Sequence, residues 1–240
     1  MSSSITYYSA IYNILPSKNI ASRICFPEYE CDLLPREIGL RELADLVANM
    51  QKICFKDKNI DNENSERIYN MFLNKHDPTV AVALSLGYDK ETTDYTDFID
   101  GGSATIKMSK ENTFTQRQPW FNEVCRSKRM EGNKSPLPII MDMIDKYITE
   151  KLSKRYKNIN GLYLYVEKEP EHGDPEVLLR YYPKYGFKEF LLGGEVDEEY
   201  YYMKKCYGKD LSPVRKTKAK STRVSKKRKT NSTVKKAASI

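Results

Sequence analysis

The sequence predicts an α/β fold in which helices flank one mixed central sheet, followed by a disordered basic tail. Three observations predict it. Apolar residues recur at intervals of three and four between Leu40 and Cys54, the stripe of an amphipathic helix. Strand-length apolar runs begin at Thr79. Between Trp120 and Glu167 a strand, a loop, a helix and a strand follow one another, an order that favours a parallel pair joined by a crossover.

The elements follow in order. Ile5–Leu15 and the stretch near Ala21–Phe26 read as strands separated by Pro16-Ser17-Lys18-Asn19. Helix begins after Pro35, where Leu40, Leu43, Leu46, Val47, Met50, Ile53 and Cys54 form one face. The polar stretch Lys56–Asn64 breaks the pattern, and Ser65–Leu73 forms a second, shorter helix ending before Asp77-Pro78. Thr79–Tyr88 has strand length, and Ser103–Met108 is its antiparallel partner. Between them an acidic loop carries Asp89, Glu91, Asp94, Asp97 and Asp100 and closes in Gly101-Gly102; it is a solvated insertion, or a receiver for a cationic substrate. Trp120–Cys125 is strand-like. After a polar loop, Leu137, Ile140, Met141, Ile144, Ile148 and Leu152 mark a long helix, with Pro136 and Pro138 tolerated in its first turn. Gly161–Glu167 is a short strand. Pro175–Tyr185 is a short helix ending at Gly186. Phe187–Leu192 and Tyr200–Cys206 close the set around Gly193-Gly194.

Charge divides the chain. Residues 211–240 hold eleven Lys or Arg and no Asp or Glu, which leaves 29 basic against 33 acidic residues in 1–210, a net of −4. A uniformly basic nucleic-acid-binding domain is therefore excluded, because the positive excess sits on a segment without an aromatic residue. That segment, rich in Ser, Thr and Lys, predicts disorder. Its Lys226-Lys227-Arg228-Lys229 run resembles a nuclear-localisation cluster, and residues 215–236 equally suit contact with nucleic acid or an import receptor.

Composition narrows the remaining classes. The five cysteines are odd in number and unpatterned, so neither a disulfide framework nor a zinc cluster is expected. Only two histidines are present, which argues against a metal centre. No run approaches ~18 apolar residues, and the N-terminal sequence lacks the pattern of a signal peptide. An intracellular protein, nuclear or cytoplasmic and without a membrane partner, is expected.

The chemistry is expected at the junction from Val124 to Leu137. Backbone N–H groups before a helix N-terminus suit a phosphate or pyrophosphate, Gly132 permits close approach, and Arg129 and Lys134 add positive charge. The loop Arg129-Met130-Glu131-Gly132-Asn133-Lys134, Leu137 of the following helix, Leu179–Phe187 with its Tyr182 and Tyr185-Gly186-Phe187, and the closing Tyr200-Tyr-Tyr-Met-Lys together resemble the GNAT superfamily of N-acetyltransferases. The resemblance covers about residues 120–205. It implies one domain over 1–208, with an extended N-terminal part at 1–78 and the best-matching core at 79–208, before the tail at 209–240.

What the resemblance implies is acetyl transfer from acetyl-CoA to an amine-bearing substrate. The backbone at Val124 would pair with the pantetheine arm. Arg129, Met130, Glu131, Gly132, Asn133, Lys134 and Ser135 would hold the pyrophosphate. Tyr182 matches the family's frequent general acid, whose ordinary pKa of about 10 suits a donor at neutral pH; core packing is its alternative. Glu123 is the nearest carboxylate for a general base, and His172 is the other candidate. One departure is Lys134, which stands where the family has a small residue. A catalytically degenerate scaffold, acting through the basic tail on nucleic acid or protein, is the competing reading. Neighbouring parallel strands at Val124 and Tyr163 would separate either reading from an unrelated α/β fold.

Overall fold

Ten consecutive buried residues, Thr79–Tyr88, form the centre of the sheet; a strand covered on both faces reads as a continuous apolar run rather than as an alternation. The structure is a computed structural model describing residues 5–55, 62–110, 114, 116–127, 136–168, 175–194 and 196–207. Its strands are β1 (Thr6–Leu15), β2 (Ile20–Ile24), β3 (Glu37–Gly39), β4 (Thr79–Tyr88), β5 (Asp100–Ser109), β6 (Gln118–Arg126), β7 (Gly161–Glu167), β8 (Lys188–Phe190) and β9 (Tyr200–Cys206). They build one nine-stranded sheet in the order β3-β2-β1-β4-β5-β6-β7-β9-β8. Neighbours are antiparallel except β6 and β7, which run parallel as the strand–helix–strand order predicts.

Helices cover both faces. On one lie α1 (Leu40–Phe55) and α2 (Asn62–Leu73), whose Leu43, Val47, Met50, Ile68 and Phe72 pack with Tyr12, Val82, Leu84 and Leu86. On the other lies α3 (Pro136–Tyr147), extended by a π-helical turn at Ile148–Leu152 and a last turn, α4 (Ser153–Arg155). Its Ile140, Met141, Ile144 and Ile148 pack with Ile11, Ala81, Ala83, Ala104 and Ile106, the alternate side chains of the same strands. Helix α5 (Pro175–Tyr181) and a 3₁₀ turn at Tyr182–Tyr185 end at Gly186 in the left-handed region, φ 87°, the C-terminal stop read from the sequence. The fold is the expected α/β class, a mixed central sheet between helical layers.

Three elements differ from the sequence reading. Glu37–Gly39 forms a strand, too short to show a period, through Ala21↔Ile38 pairing with β2. Asp100-Gly101-Gly102 does not close a loop but opens β5, opposite Gly87, Leu86 and Ser85. Glycine is required there by crowding: a Cβ on Gly101 would stand 2.4 Å from the Ser85 carbonyl oxygen, and its φ is +141°. Gly101→Ala is expected to destabilise the fold by about 1–3 kcal/mol, from strain at a backbone conformation that side chains avoid; urea unfolding midpoints measure it, and an unshifted midpoint would contradict the assignment.

The cysteines are the third difference. Four of the five pair, as Cys25–Cys31 and Cys54–Cys125, with Cα atoms 6.1 and 5.8 Å apart. Spacing gave no sign of the second bridge because its partners are 71 residues apart and are brought together only by α1 crossing over β6. Among the described residues, no helix is long and apolar enough to cross a membrane.

Candidate active site

One extra residue in β6 shapes the site. Pairing with β5 runs to Ile106↔Phe121 and resumes at Thr105↔Glu123, so Asn122 is a β-bulge. Simple alternation would set Glu123 opposite to both Asn122 and Val124. The bulge changes this. Asn122 turns its amide to Met71 Sδ of α2 at 2.7 Å, and Glu123 also faces α1 and α2. Phe121 and Val124 point to the α3 side, and Cys125 returns to α1.

Glu123 is held by a ring of polar groups. Gln51 Nε2 of α1 donates to one carboxylate oxygen at 2.6 Å, and Arg67 of α2 pairs with the other. Asn64 ties these two together, donating to Gln51 Oε1 at 2.6 Å and accepting from Arg67 Nε and Nη2 at 3.1 and 2.8 Å. The backbone N–H of Glu123 donates to Thr105 Oγ1 at 3.1 Å. Glu123's side chain is 20% exposed, so it reaches solvent while its rotamer is fixed from two helices. A carboxylate accepting two hydrogen bonds keeps lone pairs for a third donor.

Beside Glu123 the sheet opens. Strands β6 and β7 pair at Trp120↔Tyr163, where the two rings stack 5.1 Å apart, and at no position beyond it. Toward their C-terminal ends lies a cleft of about 350 Å³. Asn122, Glu123 and Val124 line one side, Tyr165, Val166 and Glu167 the other, with Gln51, Arg67, Cys125 and Leu178 around them. The N–H groups of Glu123 and Ser127 both donate toward β5, the latter to Gly101 O at 2.8 Å. Alternation therefore turns the peptide N–H and C=O of Val124 toward β7 and the cleft. The neighbouring parallel strands expected at Val124 and Tyr163 are present.

Tyr182 lies elsewhere in the site. It is 8% exposed, packs its ring against Phe187 at 5.7 Å and Tyr181 at 6.3 Å, and is not among the side chains lining the cleft. Phe187 in turn meets Phe121 of β6 at 6.0 Å, and the Arg126 guanidinium lies 5.1 Å over the Tyr181 ring. These contacts anchor α5 and its 3₁₀ turn to the end of β6. Burial, aided by the nearby Tyr181, pushes the Tyr182 phenol up to about 12.

Glu123 and Val124 are thus brought together at the cleft, with Tyr182 in the core under the same strand. Arg129, Met130, Glu131, Gly132, Asn133, Lys134, Ser135 and His172 lie outside the described residues. Gln51, Asn64, Arg67, Tyr165 and Glu167 were not anticipated from the sequence. Gln51 alone left a trace: it falls four residues after Val47, a polar residue on the apolar stripe of α1, and is buried.

No protein-family model matches the sequence, and no curated protein does. Among solved structures the chain is similar to the NatC complex bound to Gag peptide and CoA, with 12% identity and a TM-score of 0.41 over 71% of this chain and 96% of that one. It is similar to Arabidopsis thaliana NAA60 in complex with a bisubstrate analogue, with 13% identity and a TM-score of 0.40 over 68% and 95%. It is also similar to Escherichia coli ElaA, with 14% identity and a TM-score of 0.38 over 84% and 99%.

Proposed function

We propose that the chain is an N-acetyltransferase that moves the acetyl group of acetyl-CoA to a primary amine by direct attack. The observation that carries this reading is the parting of parallel β6 and β7 beyond Trp120↔Tyr163, which opens a cleft onto the Val124 peptide with a fixed carboxylate beside it. The residues fit the co-substrate in kind: an extended arm bearing amides is matched by a strand edge whose N–H and C=O have no strand partner.

Acetyl-CoA supplies a thioester carbonyl and a thiolate leaving group. The chain's part is positional and protic. Val124 would orient the arm through its peptide. Glu123, held by Gln51 and Arg67, would accept the amine proton directly or through a water. Tyr182, still protonated at neutral pH, would donate to the departing thiolate. Arg129 to Ser135 would hold the pyrophosphate, with Lys134 as a point charge.

Titrating CoA in calorimetry is the direct test: binding is expected, and neither heat nor a rise in unfolding temperature at saturating ligand would refute the reading. The degenerate-scaffold reading draws on one observation, the burial of Tyr182 away from the cleft lining. It calls for CoA binding without turnover.

A further inference from the structure

We propose that the amine acceptor is the chain's own lysine-rich C-terminal segment, drawn along the outer face of β7 and β9 into the cleft; this rests on the acetyl-transfer reading above. Helices α1 and α2 cover one sheet face from β1 to β6. Over β7 and β9 the same face presents Tyr165 and Glu167 beside Tyr200 and Tyr202, and no described helix lies on it; Tyr163, farther from the cleft, is buried under Phe114 with the Lys204 ammonium 5.1 Å over its ring. Tyr165 is 38% exposed, with its ring edge-on to Tyr200 at 5.0 Å. Aromatic faces of this kind attract ammonium groups.

The face joins the cleft. Tyr165 and Glu167 line the cleft, and Glu167 also lines an adjoining hollow of about 340 Å³ with Lys168, Glu198, Glu199 and Tyr200. Among the described residues, Glu167, Glu198 and Glu199 have no ion-pair partner. The Lys168 ammonium is directed elsewhere, donating to the Asp197 carbonyl and lying 5.0 Å over the Tyr201 ring. Three carboxylates and two tyrosines therefore lead to the place where the thioester would sit.

The occupant is identified by charge and by attachment. Residues 211–240 carry eleven basic and no acidic residues. Strand β9 ends at Cys206, opposite Gly161, whereas Tyr200 pairs with Glu167 at the cleft end. At ~3.3 Å per residue that return distance is about 20 Å. Lys216, ten residues past Cys206, reaches ~33 Å when extended, and every later lysine reaches further. Covalent attachment makes the encounter intramolecular, at an effective concentration in the millimolar range. In the transfer, the neutral ε-amine of a tail lysine attacks the thioester carbonyl, a C–N bond forms and the C–S bond breaks. The amine proton passes toward Glu123, and the thiolate is protonated to the CoA thiol. Each transfer removes one positive charge from the tail, so the product loses part of its attraction to the carboxylates and makes way for the next lysine.

Mass spectrometry tests this on the full chain incubated with acetyl-CoA over about a hundredfold range of protein concentration. Acetyl-lysine between Lys216 and Lys236, formed at a per-molecule rate independent of concentration, is the expected result. Replacing Glu198→Lys together with Glu199→Lys is expected to slow it about tenfold or more, and raised salt, which needs no variant, is expected to slow it in the unsubstituted chain. Acetylation that ignores both salt and the charge reversal is non-enzymatic and overturns the proposal. A rate proportional to concentration also overturns it, and assigns the lysines to a second copy. Bound CoA and acetylation of an added lysine peptide, with the tail unmodified, overturn the tail and leave the transfer reading standing. Absence of CoA binding overturns both.

Discussion

Tyr182→Phe is expected to lower kcat for acetyl transfer by about 10²–10⁴-fold while leaving CoA affinity unchanged. The substitution removes one hydroxyl and keeps the ring that packs on Phe187 and Tyr181, so the loss isolates proton donation from packing. Steady-state release of CoA thiol and calorimetry together measure it; an undiminished kcat would make Tyr182 a core residue only. The same burial has a second effect. A phenol raised from 10.0 to about 12 in the folded chain stays neutral where the unfolded chain already ionises. Its stabilising contribution is complete below pH 10 and disappears as pH rises through about 12, on the order of 2–3 kcal/mol for this one group. Urea midpoints should fall across that window in the unsubstituted chain, and less steeply in Tyr182→Phe.

Reducing Cys54–Cys125 is expected to cost up to about 4 kcal/mol of stability, because the bridge closes a loop of 71 residues and so restricts the unfolded chain. The Cys25–Cys31 bridge spans only 6 residues, and the same reasoning gives about 2 kcal/mol. Cys54→Ser and Cys25→Ser, each unfolded in urea with and without reductant, separate the two contributions. Equal midpoints for the unsubstituted chain in both conditions would show that the long bridge contributes nothing. The effect extends to the cleft. Cys54 lies three residues after Gln51 on α1, and Cys125 two after Glu123 on β6, so the bridge fixes the helix that supplies the carboxylate's hydrogen bond.

Much of this architecture was legible in the sequence, for identifiable reasons. The α1 stripe, the apolar run of β4 and the crossover to β7 each impose a period or an order long enough to read. The candidate site was legible only where it lies on such elements: of the residues singled out in the sequence, Glu123 and Val124 line the cleft. The bulge at Asn122 was not, since an inserted residue leaves composition and local pattern unchanged and shows only in the pairing with Thr105. Arg67 and Asn64 sit on a helix whose polar face looks like any solvated surface until β6 is placed beside it. Gly101 and Gly102 read as a turn in the sequence because glycine marks both turns and crowding, and the local sequence does not distinguish them.

The sheet begins and ends in three-residue strands, Glu37–Gly39 and Lys188–Phe190. A chain arriving at either margin meets a ladder too short to template another strand, bordered by the exposed Glu37 at one side and Lys188 and Glu189 at the other. Strand addition is thereby discouraged at both outer rims, and among the described residues a strand edge without a strand partner lies inside the sheet, along β6 where it parts from β7. Growth of the sheet is discouraged outside, and the place left for another extended segment is the cleft within, where the proposed co-substrate arm would pair.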